Sequence, residues 1–189
     1  DIIAEDAENP VFDLTKTKIR SLYGTISPEC TSNIRPEIRL NINAASLKMY
    51  SEIFNRNISD VNFILVFESP VTLPINGSLR NVRITVEGDS SDTPFEAQKL
   101  TTSGTVSLVN VPNIRANIDI EPSSKFITTG NVNGNIIVGK DASLGIRGNL
   151  NGTVKSKPYA EILIKGILKY KDNANSSLDT ESIVFGCNS

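Results

Sequence analysis

The sequence contains no histidine and no tryptophan, a single methionine and only two cysteines among its 189 residues. Without histidine it lacks the commonest general base, most zinc sites and every Ser-His-Asp arrangement. Without tryptophan, and with aromatics at 6%, a stacking platform for sugars has little to build on. No apolar run approaches the roughly 18 residues that a membrane-crossing helix needs, so an integral membrane protein is not expected. The longest run, Phe63 to Phe67, is strand-sized. An excess of one charge is missing too: 19 Lys and Arg face 21 Asp and Glu, with both signs scattered along the chain. Phosphate binding needs a basic stripe, and nucleic acid is accordingly excluded as a partner.

What is present points to β structure. Hydrophobic residues make up 39% and charged residues 21%, enough apolar surface for a folded core. Ile and Val dominate the apolar set, and their branched Cβ suits a pleated surface. The abundant Asn, Ser, Thr and Gly suit turns and exposed strand faces.

The clearest signal is a repeat. Gly130-Asn131-Val132-Asn133-Gly134-Asn135 recurs 18 residues later as Gly148-Asn149-Leu150-Asn151-Gly152-Thr153. The same step backward reaches Pro112-Asn113-Ile114, and forward it reaches Gly166-Ile167-Leu168. Leu108, Phe126, Leu144 and Ile162 form one apolar column on this spacing, and Ile118, Ile136 and Val154 form another. Within each unit apolar residues alternate, the period of half-buried strands. Columns with alternation predict stacked strands, either as the coils of a β-solenoid or as the hairpins of an antiparallel meander or sandwich.

Residues 1–13 are expected to form an acidic arm, 14–93 an N-terminal β region and 94–189 the repeat-based region, unless the two β regions make one domain. The turn-rich loop Gly88 to Pro94 is the natural divide. Further strands are predicted at Lys18–Thr25, Ile34–Ile42, Asp60–Glu68, Leu79–Glu87 and Thr105–Val111, with one short helix between Ala44 and Asn55 from the spacing of Leu47, Tyr50 and Phe54. The chain opens at Asp1 and holds Met49 as its sole methionine, read as removal of an export signal and an extracellular or cell-surface location. In that setting Cys30 and Cys187 pair within the chain, bridge two subunits, or stay as buried thiols. Four Asn-X-Ser/Thr sequons, at Asn57, Asn76, Asn151 and Asn175, are compatible with glycosylation.

Candidate chemistry is sparse. Asp119, Glu121, Lys140 and Asp141 are the groups a histidine-free lyase or glycosidase would use. Glu87, Asp89 and Asp92 are the oxygens a calcium ion would want. Tyr159 and Tyr170 with Lys169 and Lys171 could touch a surface glycan. Each set has an ordinary reading as solvated strand or turn residues, so no enzyme, cofactor or metal is expected.

The run from Gly130 to Val138, then Gly139-Lys140-Asp141-Ala142-Ser143-Leu144 and Gly148 to Val154, resembles bactofilin-like β-helical polymer proteins over about residues 110–170. Residues 1–105 have no counterpart in that pattern. The resemblance implies a scaffold that polymerises without nucleotide. Fibrillar sheath proteins of methanogenic archaea are similar in general character. The functional expectation is a structural subunit of an extracellular layer, sheath or filament, a homo-oligomer or polymer joined by strand edges. A monomeric adhesin or ligand-binding module is the alternative.

Overall fold

A computed structural model describes residues 11–13, 15, 35–166 and 168–169, and it shows an all-β protein whose strands run parallel as a β-solenoid. Cys30, Cys187, the strand expected at Lys18–Thr25, Tyr170, Lys171 and the Asn175 sequon lie outside the described residues. Every pairing between the described strands is parallel, which rules out the antiparallel meander or sandwich.

Each coil contributes one strand to an eight-stranded sheet and one or two to a ten-stranded sheet. The first coil runs through β2 (Glu37–Ile42), the helix α1 (Leu47–Phe54) and β3 (Asn57–Ser59), with β1 (Val11–Asp13) paired outside β2. The second holds β4 (Asn62–Phe67), β5 (Leu73–Pro74) and β6 (Ser78–Arg80). The third and fourth hold β7 (Arg83–Gly88) with β8 (Phe95–Ser103), and β9 (Thr105–Val109) with β10 (Asn113–Ile120). Three shorter coils follow: β11 (Lys125–Thr128), β12 (Asn131–Asn133) and β13 (Ile136–Val138); β14 (Ser143–Ile146), β15 (Leu150–Asn151) and β16 (Val154–Ser156); then β17 (Glu161–Ile164) and β18 (Leu168–Lys169).

The pairs Glu37–Asn62, Asn62–Arg83, Arg83–Ser107, Thr105–Lys125, Lys125–Ser143 and Ser143–Glu161 set successive offsets of 25, 21, 24, 20, 18 and 18 residues. The 18-residue period is thus the shortest coil the fold reaches, and only the last coils keep it. The longest offset spans the coil that carries α1; the loop Gly88 to Pro94 lies in another long coil. Both sheets pass that loop without a break, because β7 pairs β4 and β9 while β8 pairs β6 and β10.

Inward side chains stack in columns. Val106, Phe126, Leu144 and Ile162 form one, and Ile84, Leu108, Thr128, Ile146 and Ile164 the next. Leu108 therefore lies on Thr128 rather than under Phe126 as the sequence spacing suggested. The coil between β9 and β11 is two residues longer than the repeat, which shifts the register by one inward position and leaves the buried face unchanged. Ile118, Ile136 and Val154 stack as expected. All of these are at most 7% exposed, so truncating Phe126 to alanine would cost about 3–5 kcal/mol.

Helix α1 closes one side of the first coil. Asn43 Oδ1 accepts hydrogen bonds from the N–H groups of Ala45 and Ser46, both at 3.0 Å, which turns the chain into the helix. Its buried face is Tyr50, Ile53 and Phe54, and the Phe54 ring lies 5.1 Å from that of Phe63 in the next coil. No helix among the described residues is long and apolar enough to cross a membrane.

Candidate functional site

The coils bend at recurrent corners, and the residues there explain both the repeat and the polar surface. At the corner between β12 and β13 Gly134 sits on Ala116, and at the same corner of the next coil, between β15 and β16, Gly152 sits on Gly134. A Cβ at either glycine would lie 1.9 Å from the carbonyl oxygen of the coil beneath. No other residue type fits so close a backbone approach. The corner leading back into the eight-stranded sheet holds one left-handed residue per coil: Asp60, Asn81, Gly104, Ser123, Asp141 and Tyr159, with φ between 54° and 63°. Asp, Asn and Gly tolerate this region best.

The outward amides are spent along the axis. Asn55 Oδ1 accepts from the Asn76 N–H at 3.1 Å, and Asn76 Oδ1 from the Gln98 N–H at 2.6 Å. The chain of bonds continues as Asn117 Nδ2 donates to the Gln98 carbonyl at 3.0 Å, the Asn135 N–H to Asn117 Oδ1 at 3.1 Å and the Thr153 hydroxyl to Asn135 Oδ1 at 2.6 Å. A second ladder joins Asn113, Asn131 and Asn149 through bonds of 2.7 Å. The asparagines of the repeat were expected at bends, and their role as inter-coil acceptors was not read from the sequence. Their constant 18-residue spacing was the available signal, since identical amides one coil apart can bond each other.

The sequence-predicted chemical groups do not converge. Asp119 pairs with Lys99 at 3.5 Å on the outer face, and Asp141 lies 3.9 Å from its neighbour Lys140. Glu121 is exposed beyond the end of β10. Glu87 is bound by Arg39 across β4, and among the described residues no three carboxylates gather as an ion site. Of the sequons, Asn57 Oδ1 accepts from the Ser78 hydroxyl at 2.7 Å, and Asn76 and Asn151 belong to inter-coil bonds. Tyr159 is 74% exposed at its corner, whereas Lys169 falls in β18.

Two ionisable groups are displaced. Burial, then the charge of Glu68, pushes the Tyr50 hydroxyl up. Partial burial pushes the Asp60 carboxyl up. Hydrogen bonds from Asn81, Arg80 and Ser59, with the Arg80 charge, outweigh that and hold it below the usual carboxylate range. Arg80 Nη2 donates to Asp60 Oδ2 at 3.0 Å and Asn81 Nδ2 donates to Asp60 Oδ1 at 2.8 Å, so this cluster fastens a corner.

Charge is less evenly spread than the sequence suggested. Residues 35–138 hold nine basic and ten acidic side chains. Residues 139–169 hold six basic, Lys140, Arg147, Lys155, Lys157, Lys165 and Lys169, against Asp141 and Glu161. Folding places Lys140, Arg147, Lys155, Lys157 and Lys165 on the last coils, at two corners and on the outer face of β16, as a basic collar toward the C-terminal end of the stack.

No protein-family model matches the chain, and searches of curated proteins and of solved structures return no match.

Proposed function

We propose that the protein is a structural subunit of an extracellular self-assembling layer, sheath or filament, joined end to end through strand edges. The observation that carries this reading is the commitment of outward amides and hydroxyls to the neighbouring coil, from Asn55 through Thr153. Side chains of a catalytic or ligand site converge on one point, whereas these run along an axis and stiffen a rod. The outermost described strands, β1 and β3 at one end and β16, β17 and β18 at the other, are each paired on one side among the described residues. Such edges template further pairing. The nucleotide-free polymerisation implied by the bactofilin resemblance is consistent with this arrangement, and a bridge through Cys30 or Cys187 would reinforce it.

Light scattering and negative-stain imaging of the full chain, with and without reductant, test the proposal. Large regular particles that grow with concentration are expected, and a monomer at every concentration would overturn it. The exposed Tyr159 favours a second reading, a monomeric adhesin with a surface glycan partner. A tight hit for a monomer on a glycan array would establish that reading instead.

A further inference from the structure

The assembly reading leaves open what guides one copy onto the next, and the charge distribution supplies a candidate. The collar of residues 139–169 carries four more positive than negative side chains. Lys155 lies over Ile137 on the outer face of β16, and Lys157 follows β16 one coil above Gly139, which precedes Lys140 in the chain. Arg147 and Lys165 follow β14 and β17 and stack one coil apart at another corner. All five of these side chains are exposed. One coil is about 4.8 Å, inside the screening length of about 8 Å at physiological salt, so Arg147 and Lys165 repel one another until an anion covers them, whereas Lys140 already has Asp141 at 3.9 Å.

The most acidic stretch of the chain is the other terminus. Residues 1–13 contain Asp1, Glu5, Asp6, Glu8 and Asp13 and no basic residue. Its anchor is β1, which pairs with β2 at the end of the stack opposite the collar. From β1 to β17 the eight-stranded sheet has seven inter-strand steps, about 34 Å. Ten fully extended residues span about 33–36 Å, so Asp1 reaches the far end of its own stack only at full stretch, and Glu5, Asp6 and Glu8 fall short of it. A second copy stacked end to end brings its collar within two or three coils of them.

We propose that the acidic N-terminal segment of one copy docks on the basic collar of the next and sets the polarity of assembly. This inference rests on the assembly reading and names its partner as a second copy of this chain. The contact is a steering one between exposed charges, and it gives direction and rate more than raw affinity. Residues 170–189, with three acids and one lysine, are a weaker fit to the same surface, holding less net charge over a longer stretch.

The test compares full-length chains with a common assay, the lowest concentration at which particles form. Reversing the collar as K155E/K157E/K165E changes only exposed side chains, and circular dichroism checks that the fold is kept. It is expected to raise that concentration about tenfold or more, from three weakened pairs. Raising salt from about 0.1 M to about 1 M, which shortens screening from about 10 to about 3 Å, is expected to have the same effect on the wild type. Adding D1K/E5K/D6K/E8K to the reversed collar is expected to restore assembly. A labelled peptide of residues 1–13 is expected to bind the wild-type chain and to lose at least tenfold with the reversed collar.

If the wild type assembles and the reversed collar assembles equally well, the contact is overturned while end-to-end assembly stands. If the wild type never assembles, both fall. Tighter binding of a peptide of residues 172–189, or of a single-stranded oligonucleotide, than of residues 1–13 would overturn the assignment of the collar to the N-terminal segment.

Discussion

Replacing Gly134 by alanine forces a methyl group into the backbone of the coil below. The new Cβ would lie 1.9 Å from the Ala116 carbonyl oxygen, 2.7 Å from the carbonyl carbon and 3.4 Å from the amide nitrogen. None of these atoms belongs to a side chain that could rotate away, so the coils must separate or the corner must flatten. The residue also has φ +152°, a conformation that side chains rarely adopt. Overpacking of this kind costs about 1–3 kcal/mol, and backbone strain adds about 1–3 kcal/mol. A total of about 2–6 kcal/mol would lower the melting temperature of a chain this size by about 4–24 °C. Gly145 provides the control. It lies on the outer face of β14, where an added Cβ would meet Ile127 at an ordinary 3.6 Å, and G145A is expected to stay within about 0.5 kcal/mol of wild type. Thermal and urea unfolding followed by circular dichroism would compare the two. Equal stability of G134A and G145A would refute the close stacking of coils at this corner.

Other perturbations read different parts of the stack. Thr102 is 1% exposed and its hydroxyl has no partner among the described residues, so T102V is expected to stabilise by about 1 kcal/mol. Thr128 is equally buried, but its hydroxyl accepts from the Gly130 N–H at 3.3 Å, so T128V should destabilise by about 1 kcal/mol in the same urea titration. Asp60 is held below the usual carboxylate range, so its contribution is present above that range and is lost as pH falls through its folded value. D60N should therefore be less stable than wild type at neutral pH, with the gap closing in acid. A gap unchanged by pH would contradict the role given to the Asp60, Arg80 and Asn81 cluster.

The later coils were legible in the sequence because their length is constant. Gly130, Gly148 and Gly166 recur at equal steps, and Phe126, Leu144 and Ile162 stack as that spacing implied. Helix α1 was legible from Leu47, Tyr50 and Phe54, whose spacing marks one helical face. The earlier coils were hidden because their lengths vary, the longest holding the whole of α1. Offsets of 25, 21, 24 and 20 residues preserve inward alternation while erasing any fixed period. The strand expected over Leu79–Glu87 is in fact β6 and β7, separated by the left-handed Asn81. The clean alternation of Val82, Ile84 and Val86 concealed the corner, which only the three-residue step from Leu79 to Val82 marked. Parallel pairing was beyond the sequence, since period-two alternation is the same in both strand directions. The excess of basic residues over 139–169 was countable in the sequence, but Lys140, Lys155 and Lys165 are 10–15 residues apart and share one end of the molecule only when the coils stack.

Fibre diffraction from aligned assemblies of the full chain tests the central claim most directly. An end-to-end stack of these coils places strands across the long axis, which predicts a meridional reflection near 4.8 Å. Assemblies that lack this reflection along their axis, or a chain that forms none, would contradict the account.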